Sequence, residues 1–451
     1  MDTHPQVTTT TSPSIRSAPH VHSHSNPNMN TPKDNTPLQT APVAWVGLDW
    51  GDKEHAFAIQ DAVGKCQAGT LVHSAENLHS WLQKLGERFG TGQVALAIEA
   101  SRGAVIHALL EYPWLTIYPI NPITSARYRS AFTPSGAKDD LPDAKVLLEL
   151  VRDHAAKLRP LEEQDPVTVK LAGLVEARRK LVDRRTQIIL QVESLLKGYY
   201  PQALQVAGDL KSDVALAFLN RWPDLISLKA ARPATIKGFY HQHQVRSQKL
   251  IEQRLALIAQ AKALTTDDAR VAVAALHLRA LLDQLKIFHQ HIPQFDKAIE
   301  QTFAEHADRD LFRNLPGAGR QLAPRLCVAF GTLRRLYPDP ASLQKYSGVA
   351  PIREKSGNQV WTHWRWQTST FLRQTFVEWA GQTVLYSDWA KVYYRRMIKK
   401  GKRHAMILRA LAFKWIRVLW KCWQDRQPYD EARYLKQLIH RKSPNAPPTI
   451  T

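Results

Sequence analysis

A change of hydrophobic period near residue 168 constrains this chain more than any other feature. From there Leu174, Leu181, Ile188 and Leu195 recur every seven residues, with Val175, Val182, Ile189 and Leu196 as a second column beside them. Lys170, Arg178, Arg179, Lys180, Arg184 and Arg185 occupy the other faces. Such a pattern buries one stripe only, and predicts a long amphipathic helix with a coiled-coil-like seam. A second arm follows, in which Leu278, Leu281, Leu285, Phe288, Ile292, Phe295 and Ile299 step alternately three and four residues. Joined by a helical stretch around 204–262, the arms define a helical spacer over 168–303. The seams suit a bundle within one chain and pairing between chains equally well.

Upstream the period is that of strands. Val43-Ala44-Trp45-Val46-Gly47-Leu48-Asp49 reads as a buried strand ending in a carboxylate, and His55–Ile59 as its neighbour across the Trp50-Gly51-Asp52 turn. Val94–Glu99 repeats the pattern, an apolar run closed by a carboxylate, and Leu115–Ile120 is a further strand. Helices near 76–89 and 103–111 separate them, so residues 43–160 are expected to form a mixed-sheet α/β domain. Residues 1–42 hold seven of the 27 prolines among Thr, Ser, Asn and His, a composition that cannot offset the entropy of ordering and predicts a disordered tail. The alternating His20, His22 and His24 lie in that tail without acidic or thiolate partners, and read as polar filler.

Charge is concentrated at the other end. Of the net +21, residues 311–451 contribute +19, with 26 Lys plus Arg against 7 Asp plus Glu. That excess argues for a polyanionic partner, most often nucleic acid. Eight of the 13 tryptophans share the segment, where they suit base stacking or a core equally; for the helical Trp415 and Trp420 a core is the better reading. A mostly helical domain over 311–430 and a basic tail over 431–451 are expected. Three scattered cysteines, Cys66, Cys327 and Cys422, exclude a disulfide scaffold. With no apolar run near about 18 residues and no signal-type leader, a soluble cytoplasmic protein with no membrane partner is expected.

Four carboxylates group by position. Asp49 and Glu99 end two strands of one sheet. Asp140 and Asp143 open a helix in Lys138-Asp139-Asp140-Leu141-Pro142-Asp143-Ala144, where Pro142 fits a first turn and the i, i+3 spacing puts both acids on one face. Each alone reads as a solvated charge or a helix cap. Converging, they would repel unless divalent cations offset them, and Mg²⁺ suits an all-oxygen set; two ions per site could clamp the attacking and leaving oxygens of a phosphoryl transfer.

Two motifs mark the basic segment. Leu315-Pro316-Gly317-Ala318-Gly319 is a tight turn between helices that could present N–H groups to a phosphate. Tyr346-Ser347-Gly348-Val349-Ala350-Pro351 leads to Arg353-Glu354-Lys355-Ser356-Gly357, where a Ser-Gly ordinarily marks a turn but here follows two basic residues. Arg353, Lys355 and, beyond it, Arg365 are candidate phosphate contacts together with Gly317 and Gly319.

The Leu48-Asp49 and Ile98-Glu99 strand ends, the Lys138-x-Asp140-x-x-Asp143-Ala144 signature and the Tyr346-x-Gly348-x-x-Pro351…Ser356-Gly357 block together resemble the DEDD transposases of the IS110 group, relatives of the Piv-type invertases. The resemblance runs over about 43–430. In two places the chain departs from the family pattern. Asp139 stands where a Thr or Ser is usual, adding a fifth acid, although the spacing to Asp143 favours Asp140; and Gln359–Trp366 replaces a Lys/Arg-Gly-rich loop. The resemblance implies a RuvC-like, ribonuclease H-type N-terminal domain whose Asp49, Glu99, Asp140 and Asp143 hold Mg²⁺, and a C-terminal transposase domain whose Ser356 is the nucleophile. It also implies donor and target DNA chosen by a structured guide RNA, a homo-oligomer from dimer to tetramer in which one subunit's acids complete another's serine site, and a nucleoid-associated protein. A serine that stores phosphodiester energy as a phosphoserine points to recombination, whereas a junction-resolving nuclease would need the acids alone and a DNA-binding scaffold neither.

Overall fold

The computed structural model describes residues 41–447 apart from Thr91, Arg102, 133–139, Trp366 and Gln367, and apart from the side chains of Phe132 and Asp140. The tail read as disordered, up to residue 40, and Asp139 therefore lie outside the described residues. The chain divides into two compact units, Met1–Glu163 and Gln164–Thr451.

The first unit is built on a five-stranded sheet of β1 (Ala44–Trp50), β2 (Glu54–Asp61), β3 (Cys66–Val72), β4 (Val94–Ile98) and β5 (Leu115–Pro119). The order is β3-β2-β1-β4-β5; β1, β2 and β3 pair antiparallel, while β1–β4 and β4–β5 are parallel. This mixed order fits a ribonuclease H-like domain. Four of the strands stand where the alternation places them. β3 has no apolar run to announce it, because only Leu71 of its seven residues is buried and it borders the sheet.

Side-chain size sorts the two faces of the sheet. Val46, Leu48, Phe57, Ile59, Leu96 and Ile98 point to one face, where α1 (Ala75–Phe89) and α2 (Ala104–Leu110) cover them with Leu78, Leu82, Leu85, Val105, Ile106 and Leu109. The period of two sends Gly47, Ala56, Ala58, Ala95 and Ala97 to the other face. These small residues form a trough for Ala144, Leu147, Leu148 and Val151 of α4 (Asp140–His154), which follows α3 (Pro122–Phe132). At Gly47 the fit is backbone to backbone: a Cβ there would lie 2.0 Å from the Ala144 carbonyl oxygen and 2.5 Å from the Leu148 nitrogen. Only glycine allows that approach.

The second unit opens with α5 (Pro166–Tyr199), capped by Asp165 accepting from the Thr168 N–H, with Pro166 in the first turn. Then come α6 (Ala203–Val206), α7 (Asp213–Arg221), α8 (Leu225–Ala230), α9 (Pro233–Gln242), α10 (Gln248–Gln260) and the long α11 (Asp268–Glu305). Ile188, Val192 and Leu196 of α5 share a core with Leu278, Leu282 and Leu285 of α11, while Leu171 and Val175 meet Ile299. The start of one arm meets the end of the other, so the two run antiparallel, and the heptad seams face each other within one chain. At their base, His306 is buried with Nε2 2.8 Å from Thr168 Oγ1 and Nδ1 3.2 Å from Cys327 Sγ. Burial lowers the His306 pKa and raises that of Cys327.

The remainder is α12 (Arg309–Arg313), α13 (Gly319–Phe330), α14 (Pro340–Tyr346), the hairpin of β6 (Ile352–Ser356) and β7 (Gln359–His363), α15 (Thr370–Tyr386), α16 (Asp388–Lys399), α17 (His404–Gln424) and α18 (Glu431–His440). Trp379, Trp389, Trp415 and Trp423 are essentially fully buried in one aromatic core, and the half-buried Trp420 donates to the Tyr337 carbonyl at 2.8 Å. Most of the tryptophan signal is therefore packing. The stretch expected as a basic tail instead begins with α18, whose Leu438 enters this core, and Glu431 accepts from Ser387 Oγ, the Asp388 N–H and Tyr429 OH at 2.9, 2.9 and 2.6 Å. The spacer arms join the same unit, with Val328 and Phe371 packed against Leu171, Val175 and Ile299. Among the described residues, no helix is long and apolar enough to cross a membrane.

Candidate functional site

The acids follow from the register of the sheet. Leu48 pairs with Ile98, so Asp49 and Glu99 stand one step further along adjacent parallel strands, on the face that receives α4. Asp143 lies in the first turn of α4, next to Ala144, the residue seated on Gly47 two positions before Asp49. Asp140 opens the same helix, with its side chain outside the described residues. The sheet and the helix packed on it thus present acids at one end of one face. The exposure differs: Asp49 and Glu99 are half-buried, whereas Asp143 is 7 % exposed.

Two residues that periodicity did not single out accompany them. Ser125 of α3 is buried and its hydroxyl donates to Glu99. Arg129, one turn further along the same helix, forms an ion pair with Asp143 at 2.6 Å. The sequence predicts no helix here; within α3 the spacing Ser125-x-x-x-Arg129 puts both on one face, which meets the two acids. On the opposite side of the sheet Trp50 stacks on the buried His55 at 3.6 Å, and burial, then the His73 charge, lowers the His55 pKa. That cluster packs beneath the strand ends.

The donor set is oxygen alone, which suits a hard divalent ion. Among the described residues no three His, Cys, Asp or Glu side chains stand close enough together to hold a metal as they are. With Asp143 ion-paired to Arg129 and the Asp140 side chain outside the description, the geometry is that of an acid site with a resident cation partner.

Ser356 is exposed at the end of β6, opposite Gln359 across a two-residue turn of Gly357 and Asn358. Gly357 has φ +57°, as the first central position of a tight hairpin turn requires. Strand alternation then separates Ser356 from the cations beside it in sequence. Arg353 and Lys355 share one face with Val360 and Thr362, while Ser356 shares the other with Ile352, Glu354, Trp361 and His363. His363 Nε2 lies 3.0 Å from Glu354 Oε1, a bond that raises the His363 pKa.

Beyond β7 the basic residues gather around an indole. The Arg409 guanidinium lies 2.8 Å from the ring centre of Trp364 and that of Arg373 at 5.6 Å. Burial, then the Arg373 charge, lowers the Arg409 pKa. Arg365 is half-buried alongside, its carbonyl accepting from Thr368 Oγ1 at 2.9 Å, and Trp366 lies outside the described residues. The Leu-Pro-Gly-Ala-Gly turn faces inward at Gly317, where a Cβ would meet Gln382 and Tyr386 of α15, and Pro316 accepts from Trp379 Nε1 at 2.9 Å. Gly319 opens α13 with free space around it. All three cysteines are free thiols.

The described residues thus hold a mixed sheet with acids at its strand ends and a helical, basic unit with an exposed serine. A DEDD transposase family model matches residues 46–201, and a model of the IS116/IS110/IS902 transposase family matches residues 309–395. The mini-circle protein named as a transposase for IS117 in Streptomyces coelicolor is 30 % identical over 406 residues, 88 % of this chain and 98 % of that protein. The 43.6 kDa protein of insertion element IS110 from the same species is 24 % identical over 86 % of this chain and 95 % of its own length. A 42 kDa protein of insertion element IS900 from Mycobacterium paratuberculosis is 24 % identical over 87 % and 98 %. The chain belongs to the IS110 family of insertion-sequence transposases, and so to the DNA-processing enzymes.

Proposed function

We propose that this transposase cuts and rejoins DNA strands through a covalent serine intermediate, with Ser356 as nucleophile and with Asp49, Glu99, Asp140 and Asp143 as the acids that hold Mg²⁺. The observation that carries the reading is the pairing of two dissimilar sites in one chain: acids seated on a sheet end, and an exposed serine at the end of a hairpin strand. Ser356 Oγ attacks the phosphorus, its proton is lost, and the bond to one sugar oxygen breaks as that oxygen takes up a proton. The phosphoserine keeps the phosphodiester's energy, so attack by another strand's hydroxyl regenerates the serine and joins DNA without ATP. Divalent cations held by the acids, two at each site, would polarise the phosphoryl oxygens and offset developing charge.

Arg353, Lys355, Arg365, Arg373 and Arg409, with Gly319, are proposed to neutralise phosphates, and the exposed Trp361 to stack on a base. Donor and target DNA chosen through a structured RNA, and a dimer or tetramer, are the remaining parts of the proposal; the concentration of positive charge in residues 311–451 supports a nucleic-acid partner of either kind.

A nicked suicide substrate tests the nucleophile. The wild type should give a denaturant-stable protein–DNA adduct on the peptide that contains Ser356. Ser356→Ala should bind nucleic acid as before and lose both cleavage and joining. Cleavage by that variant would instead assign the chemistry to metal-bound water, as in a junction-resolving nuclease.

A further inference from the structure

The acid cluster carries a cation of its own. Asp143 is 7 % exposed, and a carboxylate that far from water needs a cationic partner or a proton. Arg129 Nη2 stands 2.6 Å from its Oδ1, with the arginine side chain 21 % exposed. Four residues earlier on the same helix, Ser125 donates to Glu99. Residues at i and i+4 share a helix face, so one face of α3 grips two acids that belong to two other elements.

Resting on the metal-site reading above, we infer that Arg129 is the resident counter-ion of the acid cluster and sets how tightly that cluster takes a divalent cation. Without an ion, Arg129 offsets the charge of Asp143 and holds it in place, so that the acids do not repel one another apart. A divalent ion arriving beside Asp143 meets a guanidinium well inside a Debye length, where salt screens the repulsion poorly. Whether Arg129 swings aside or stays, the ion binds against it. The arginine thus trades affinity for a cluster that is assembled before the metal arrives, and it makes the bound ion exchangeable. Its role is positioning and electrostatic; Ser125 supports it by fixing Glu99.

The test uses the full chain without nucleic acid, reading Mg²⁺ and Mn²⁺ binding by calorimetry and the melting temperature in chelator. R129Q, with R129M as a second charge-free variant, should melt lower in chelator yet bind Mn²⁺ about tenfold more tightly, a gain that damage to the fold cannot produce. R129K keeps the charge and should bind near the wild-type level, and D143N should bind more weakly than any of them. Unchanged or weaker binding by both charge-free variants, while the wild type binds, would overturn the counter-ion role alone. A wild type with no saturable binding of either ion would bring down the acid-cluster reading itself, and this inference with it.

Discussion

Asp143 sits nearly buried on a helix pressed backbone to backbone against a sheet, whereas Ser356 stands exposed at the tip of a two-stranded hairpin. The acids are placed by packing: strand register sets Asp49 beside Glu99, and the trough of small residues sets α4 over both. The serine is placed by a turn alone. An acid cluster must be held against its own repulsion, which calls for a rigid frame. The nucleophile proposed at Ser356 would have to meet separate DNA strands in turn and so would need reach, which a short hairpin provides at little cost in core. The two regions should therefore fail in different ways.

The largest failure is expected at Gly47. Gly47→Val would drive its Cβ into the Ala144 carbonyl, contact that side-chain motion cannot relieve. Overpacking of a core costs up to about 3 kcal/mol, and α4 must lift away together with Asp143. Hydrogen exchange should rise across β1 and α4, metal binding should weaken, and the hairpin should exchange as in the wild type. A Gly47→Val protein with wild-type stability would mean that α4 is not held by that contact.

The serine side is expected to break more gently, and at a glycine needed for a different reason. A Cβ at Gly357 has open space around it, so only its φ of +57° resists substitution. A β-branched residue in that region costs about 1–2 kcal/mol, and Asn less. Gly357→Val should loosen exchange in β6 and β7 and slow adduct formation while leaving the melting temperature of the core unchanged; Gly357→Asn should lie between. Loss of global stability in Gly357→Val would show that the hairpin is part of the core after all.

This contrast also explains what could be read from residues alone. The strand-end acids, the two arms and the opening of α4 at Asp140 and Asp143 were legible because each is a matter of period or spacing. The alternation that sorts Leu96 and Ile98 from Ala95 and Ala97 was present too, but its meaning, a trough for one particular helix, depends on α4 arriving from some 45 residues away along the chain. Ser125 and Arg129 stayed hidden for the same reason, since their partners lie on other elements. Period left the choice open where two explanations share it. Interleaved tryptophan and arginine suit a nucleic-acid surface, yet Trp379, Trp389, Trp415 and Trp423 are core; near the hairpin, among the described residues, Trp361 is exposed and Trp364 half-buried. Arg353 and Lys355 adjoin Ser356 in sequence, and strand alternation puts them on the other face.

The smallest expected effect is a titration on the serine's own face. Glu354 and His363 pair across the hairpin at 3.0 Å, and that hydrogen bond holds the His363 pKa above its ordinary 6.5. A histidine whose folded-state pKa is raised is stabilising in its charged form. The contribution is complete below 6.5 and fades as pH rises through the folded-state value. Both side chains are open to solvent, so the melting temperature should hardly move and the hairpin alone should respond. The His363 ring resonance, followed by NMR in histidine-labelled full chain, should titrate above 6.5 in the wild type and at lower pH in Glu354→Gln, where the bond with the Trp364 carbonyl remains. Protection factors in β6 and β7, which correct for the intrinsic pH dependence of exchange, should fall over the same pH interval in the wild type, and be lower and independent of pH in the variant. A His363 that titrates alike in both proteins would remove the pair, and leave the Gly357 turn and the backbone ladder as what holds Ser356 in place.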